Sequence, residues 1–130
     1  MDRQDRPFSP SVSVIVPAYR AAGTIERCVR SALRQTVSPA EIIVVVDGEG
    51  DETAKIARSM QGEAGQVRLI VIEQENRGAG AARNVAIAAA GCDLLAFLDA
   101  DDEWLPEKLA RSVARFSAPG MILTAHNGWV

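Results

Sequence analysis

Three of the four residues from Asp99 to Asp102 are carboxylates, and they follow directly on an apolar run, Leu94-Leu95-Ala96-Phe97-Leu98. Like charges this close raise one another's pKa unless something positive compensates them. A hard divalent cation with oxygen ligands would do so, and magnesium or manganese binds through one or two carboxylates together with a substrate's phosphates. The plainer alternative is a solvated loop at a helix N-terminus, where acidic side chains suit the dipole. That alternative does not require Asp99 at the end of an apolar run as well. Three other polar clusters stand in the same relation to apolar runs: Pro17-Ala18-Tyr19-Arg20, Asp47-Gly48-Glu49-Gly50-Asp51 and Glu75-Asn76-Arg77-Gly78.

The elements that would position these clusters alternate along the chain. Ser11–Pro17 is apolar and β-branched and predicts a first strand. Thr24–Gln35 carries Ile25, Cys28, Val29, Ala32 and Leu33 at helical spacing, with Thr24 as N-cap. Glu41–Asp47 predicts a second strand and Thr53–Met60 a helix with Asp51 near its start. Val67–Ile72 reads as a third strand, and Ala79–Ala90 as a helix closed by Gly91 in the C-terminal position. Asp93–Asp99 would be the fourth strand, Pro106–Phe116 a helix with proline at an early position, and Met121–Thr124 a short fifth strand. Strands two and four are nearly all apolar, as a parallel sheet covered on both faces requires. The fold class expected is α/β: an open, mostly parallel, Rossmann-like sheet with flanking helices and right-handed crossovers. In such sheets ligands bind at the carboxyl ends of the strands, where all four clusters fall.

The chain of 130 residues has room for one core, and 48% hydrophobic with 24% charged residues is the balance of a globular domain. Residues 1–10 read as a polar leader with Pro7 and Pro10, and residues 11–130 as the α/β domain. A net charge of -3 argues against a nucleic-acid partner, which calls for a basic face. Cys28 and Cys92 match no metal or redox spacing and read as buried thiols in a reduced, cytoplasmic setting. No apolar run approaches the roughly 20 residues of a membrane span, so any association with a membrane is expected to be peripheral.

Two lookalikes compete for the same residues. Gly78-Ala79-Gly80-Ala81-Ala82 has the form of a dinucleotide fingerprint, with Asp99 at about the distance of a ribose-binding acid. Glu73–Arg77 separate those glycines from the apolar strand, however, and Asp101 and Asp102 are left without a role. An Asp-x-Asp nucleophile of the haloacid dehalogenase type would need later catalytic residues that the remaining chain does not supply.

Taken in order, the motifs resemble family 2 glycosyltransferases of GT-A fold. Ser13-Val14-Ile15-Val16-Pro17-Ala18-Tyr19 is similar to their opening strand, and Ser31-Ala32-Leu33-Arg34-Gln35-Thr36 to the end of their first helix. Glu41–Asp51 resembles their second strand and its Asp-Asp-Gly-Ser-x-Asp loop. Asn76-Arg77-Gly78 through Ala82-Arg83-Asn84 resembles their Asn-x-Gly and Ala-Arg-Asn segment. Leu98-Asp99-Ala100-Asp101-Asp102, followed by Trp104, Pro106, Lys108 and Leu109, completes the series. The resemblance implies a nucleotide-diphospho-sugar donor, UDP- or GDP-linked, a divalent metal (manganese or magnesium), and inverting transfer to a sugar or lipid acceptor. Pro17, Tyr19 and Asp47 would hold base and ribose, and Asp99 would face the ribose or the metal shell. Asp101 would ligate the metal, and Arg83 would serve the nucleotide side, with a salt bridge to the acidic cluster as its structural alternative.

Two departures stand out: Val46 replaces the first acid of the second-strand pair, and Glu49-Gly50 replaces the usual Ser-Thr. The family's acceptor half and general base lie after the region that this chain matches. No residue here is therefore assigned as base, Glu103 and His126 included. The competing class is a non-catalytic nucleotide-binding module. An uncovered sheet edge near Met121–Val130 is expected to promote self-association.

Overall fold

In the computed structural model, which describes residues 10–48 and 50–115, the described residues alternate strand and helix. The strands are β1 (Val12–Ala18), β2 (Glu41–Asp47), β3 (Arg68–Gln74) and β4 (Leu94–Phe97). The helices are α1 (Ile25–Leu33), α2 (Thr53–Ser59), α3 (Ala79–Ala89) and α4 (Lys108–Val113), with a 3-10 turn at Met60–Glu63. All strand pairs are parallel and the order across the sheet is β3-β2-β1-β4. The chain winds outward from β1 through β2 to β3, then returns to place β4 on the other side of β1. The winding reverses between β1 and β4, the kind of switch point where open α/β sheets form their ligand crevice.

Both faces of the sheet are covered, which is why β2 is buried at every residue. Alternate residues of β1 and β2 serve different cores. Val12, Val14, Val16, Ile42, Val44 and Val46 pack with Ile25, Cys28, Val29 and Ala32 of α1, with Ala57 of α2, and with Trp104 and Leu109. Ile15, Ile43 and Val45 pack with Ala82 and Ala86 of α3 on the opposite face. Alanine at those two positions lets α3 lie close to the sheet.

Several element ends differ from the expected ones. β4 stops at Phe97 because its ladder with Val12–Ile15 of β1 ends there, although Leu98 still donates its N–H to Ile15 at 2.9 Å. Thr24 occupies the N-cap position of α1 but makes no side-chain cap, since the turn over Ala21–Thr24 already supplies carbonyl acceptors to the helix start. Gly91 is not a left-handed helix terminator: Ala90 turns to extended geometry, and the Gly91 N–H is bound at 2.8 Å by the buried Glu41 carboxylate. That carboxylate also accepts from the Ser13 hydroxyl at 2.6 Å, tying two strands and the α3–β4 loop together. Pro106 lies two residues before α4 rather than in it. Among the described residues, no helix is long and apolar enough to cross a membrane. Leader residues Met1–Ser9, Glu49, the expected strand Met121–Thr124, His126 and the expected edge near Met121–Val130 lie outside the described residues, as does Phe116.

Candidate functional site at the strand ends

The site begins where β1 stops. Ala18 is buried, Tyr19 is 55% exposed, and Arg20 follows with a left-handed φ of 45°. The turn after Arg20 is pinned from α2: Ala21 donates its N–H to the Thr53 hydroxyl at 2.9 Å, and Ala22 to the Asp51 carboxylate at 3.2 Å. Asp51 also accepts from the Thr53 N–H at 3.0 Å and from the Thr53 hydroxyl, an Asx turn that leads into α2, whose N-cap position is Glu52. The Thr53 hydroxyl and N–H, then Ala22 and the charge of Arg20, hold the Asp51 carboxyl below the usual carboxylate range.

Asp47 ends β2 with its side chain almost fully enclosed. Its Oδ1 accepts from Arg77 N–H at 2.8 Å and Gln74 Nε2 at 2.9 Å, and its Oδ2 accepts from Gly78 N–H at 2.8 Å. Those bonds, led by the one from Arg77, hold the Asp47 carboxyl low. The same bonds remove the dinucleotide reading. The amides of Arg77 and Gly78, which a pyrophosphate would need at a glycine fingerprint, are already taken by a carboxylate that would repel it.

The acidic loop follows β4. Carboxylate oxygens of Asp99, Asp101 and Asp102 lie within 4.8 Å of one another. Asp102 N–H donates to Asp99 carbonyl at 3.0 Å, closing the turn that gathers them. Burial, then the charges of Asp101 and Asp99, push the Asp102 carboxyl up. Beneath the loop lies the fully buried Cys28 of α1, whose thiol donates to the Asp99 carbonyl at 3.4 Å. Burial first, then Asp102, Asp101 and Asp99, raise that thiol far above its ordinary value.

One cavity of about 390 Å³ joins these pieces, lined by Pro17, Tyr19, Arg20, Asp47, Arg83, Asp99 and Asp101 together with small residues that include Ala79 and Ala82. Every residue that sequence reasoning placed at donor or metal therefore borders the same space. Arg83 makes no ion pair among the described residues, so the expected alternative of a salt bridge to the acidic cluster is not formed. Val46, the position of the replaced acid, is 4% exposed and belongs to the core under α1 and α2. Arg20 borders the cavity although sequence reasoning gave it no role, and only its backbone conformation reveals it. Trp104 and Pro106 stay outside, against a second depression on the outer side of α1.

A second group acts on the acidic loop from outside the cavity. Gln35 donates to the carbonyls of Leu105 at 2.7 Å and Ser31 at 3.1 Å, and accepts from Leu109 N–H at 2.9 Å. Ser31 accepts from Trp104 N–H at 3.0 Å, and Thr36 N–H donates to Pro106 carbonyl at 2.9 Å. The Ser31–Thr36 motif is thus a clasp that holds the segment running from the acidic loop into α4.

Comparison with known proteins meets this geometry from the other direction. The sequence family described as Glycosyl transferase family 2 matches residues 13–127. An uncharacterized glycosyltransferase of Nostoc sp. is 38% identical over 116 residues, covering 89% of this chain and 36% of the relative. The succinoglycan biosynthesis protein ExoO of Rhizobium meliloti is 38% identical over 118 residues, covering 91% and 33% respectively. The chain thus spans about a third of the length of these curated relatives. Among solved structures, the mannosyltransferase PcManGT of Pyrobaculum calidifontis, in complex with GDP-Man and Mn2+, superposes with a TM-score of 0.76 at 28% identity, covering 85% of this chain and 35% of that one. S. aureus TarS in complex with UDP superposes with a TM-score of 0.71 at 31% identity, covering 80% and 31%.

Proposed function

Because this chain belongs to glycosyl transferase family 2, we propose that its cavity binds a UDP- or GDP-linked sugar with a divalent cation, manganese or magnesium, for inverting transfer to an acceptor hydroxyl on a sugar or lipid. The observation that carries this reading is the shared lining. Pro17, Tyr19, Asp47, Asp99 and Asp101 all line a single cavity, and Arg83 on α3 borders it too. Neighbours of the same fold are named in complex with UDP and with GDP-Man and Mn2+.

The chemistry follows from the parts. Asp47 uses three hydrogen-bonding positions internally, and its Oδ2 retains capacity for one more donor such as a base or ribose group. Tyr19, more than half exposed, offers a ring face to the base. Asp99 and Asp101 present hard, exposed oxygens with Asp102 beside them, a donor set that fits a divalent cation and no soft metal. When bound, that ion would neutralise charge on a departing diphosphate. The first turn of α3 borders the cavity through the small side chains of Ala79 and Ala82. Inversion then requires an acceptor hydroxyl on the opposite face of the sugar, with a base about 3 Å from its proton; none of the described residues is assigned that part.

Calorimetry of UDP and GDP binding with manganese and with chelator tests the reading. Affinity is expected to fall about tenfold or more in chelator and in Asp101→Ala, on the scale of a charge-assisted contact. Equal affinity with and without the ion would remove the metal assignment.

A further inference from the structure

Arg20 is the one non-glycine residue with a left-handed backbone among the described residues. Such geometry persists only where its surroundings over-determine it, and here they do. β1 holds the chain up to Ala18, while Thr53 and Asp51 hold the amides of Ala21 and Ala22. The turn between them lays the guanidinium over the Tyr19 ring, 5.6 Å from its centroid. It also brings the guanidinium against Gly50: a Cβ at Gly50 would stand 3.4 Å from an Arg20 terminal nitrogen, and Gly50 itself has φ 123°. That distance is ordinary contact, so Gly50 is required by its own positive φ and the arginine simply lies beside it.

The sheet order places this group. Gly50 and Asp51 follow β2, on one side of β1, whereas the acidic loop follows β4 on the other. The cavity is therefore acidic on the β4 side, at Asp99 and Asp101, while a ring (Tyr19) and a donor (Arg20) after β1 and an acceptor (Asp47) at the end of β2 line the rest of it. A guanidinium only donates hydrogen bonds, and an ionised carboxylate only accepts them. Uracil and guanine present a ring N–H beside a carbonyl oxygen and so match that pair. Cytosine and adenine present an amino group where the carbonyl would be, and a guanidinium facing it leaves both unpaired.

Building on the donor site proposed above, we propose that Arg20 is a specificity-determining residue that donates to the base carbonyl and selects uracil or guanine over cytosine and adenine. The test measures binding of UDP, GDP, CDP and ADP, and of inorganic pyrophosphate, all with manganese, to the chain and to Arg20→Asn. Asparagine tolerates left-handed geometry, so this variant should fold at least as well, which a thermal melt verifies. The chain is expected to favour UDP or GDP over CDP and ADP by about tenfold, and the variant to narrow that gap to about threefold or less. Pyrophosphate affinity should not change. Base preference retained in Arg20→Asn overturns the inference. So does a parallel loss for pyrophosphate and all four nucleotides, which would make Arg20 a phosphate ligand. Pyrophosphate binding with no base preference in the unmodified chain also overturns it, while leaving the metal and diphosphate site standing. Failure of every diphosphate to bind would instead remove the donor site itself, and the inference with it.

Discussion

Replacing Gln35 with methionine tests whether the clasp around the acidic loop carries energy. The substitution keeps the length and roughly the volume of the side chain while deleting its donor and its acceptor. Gln35 is 5% exposed, so the groups it leaves behind cannot turn to water. The Leu105 carbonyl loses a donor at 2.7 Å, and Leu109 N–H, in the first turn of α4 where no intrahelical acceptor exists, loses its cap at 2.9 Å. A lost helix cap costs about 1 kcal/mol; the Leu105 carbonyl keeps the Lys108 N–H at 3.1 Å, so losing its second donor adds only the net worth of one hydrogen bond, about 0.5–1.5 kcal/mol. Together Gln35→Met should cost about 1.5–2.5 kcal/mol, since thioether packing returns little of either. For a chain of this size that is a fall of roughly 5–10 °C in melting temperature, read directly by circular dichroism and cross-checked by the urea midpoint. Manganese-dependent nucleotide binding should weaken as well, although Gln35 lies outside the cavity, because Trp104 to Leu109 continue from the acidic loop. A variant that melts within about 2 °C of the parent, well under the 1 kcal/mol expected of the cap alone, would refute the reasoning.

Two further substitutions separate fold from site. In the folded chain the bonds from Arg77, Gln74 and Gly78 lower the Asp47 carboxyl pKa below its ordinary value. The stability it contributes is therefore complete above about pH 5 and is lost as pH falls through the unfolded value near 4 and then the lower folded one. Asp47→Asn should flatten that part of the acid limb in urea midpoints between about pH 5 and 3, and an unchanged limb would mean that those bonds distinguish no protonation state. Tyr19→Ala, at a residue 55% exposed, should leave the melting temperature nearly unchanged while weakening nucleotide binding about tenfold, the scale of one lost base–aromatic stack. A large stability loss with intact binding would make Tyr19 a packing residue.

Much of this was legible before the structure because strand ends in a parallel sheet fall on one edge. Any polar residue directly after an apolar run is then a neighbour of every other, which is how Pro17, Tyr19, Asp47, Asp99 and Asp101 were gathered without knowledge of their contacts. β2 was bounded correctly at Glu41–Asp47 because a central strand buried on both faces is apolar between two polar ends. β4 was drawn too long, since its extent is set by register against β1 and not by hydrophobicity. Arg20 was passed over because its significance lies in a dihedral angle and in its place on the cavity wall, neither written in residue type. The same holds for Gln35 and Ser31: their motif was recognisable by resemblance, but their partners lie some seventy residues away along the chain.

The cysteine under the acidic loop offers the molecule its own timekeeper. Cys28 has no exposed surface and is covered by the Asp99 turn to which its thiol is bonded. A thiol reagent can reach it only when α1 and that turn part, so the labelling rate counts openings of the site rather than the average shape of the fold. Cys92, only partly buried on the α3–β4 connection, registers ordinary accessibility in the same sample. Whatever ligand stiffens the Asp99–Asp102 turn will slow the first reaction and spare the second, so occupancy can be followed by mass alone, with no dye, tag or substituted residue.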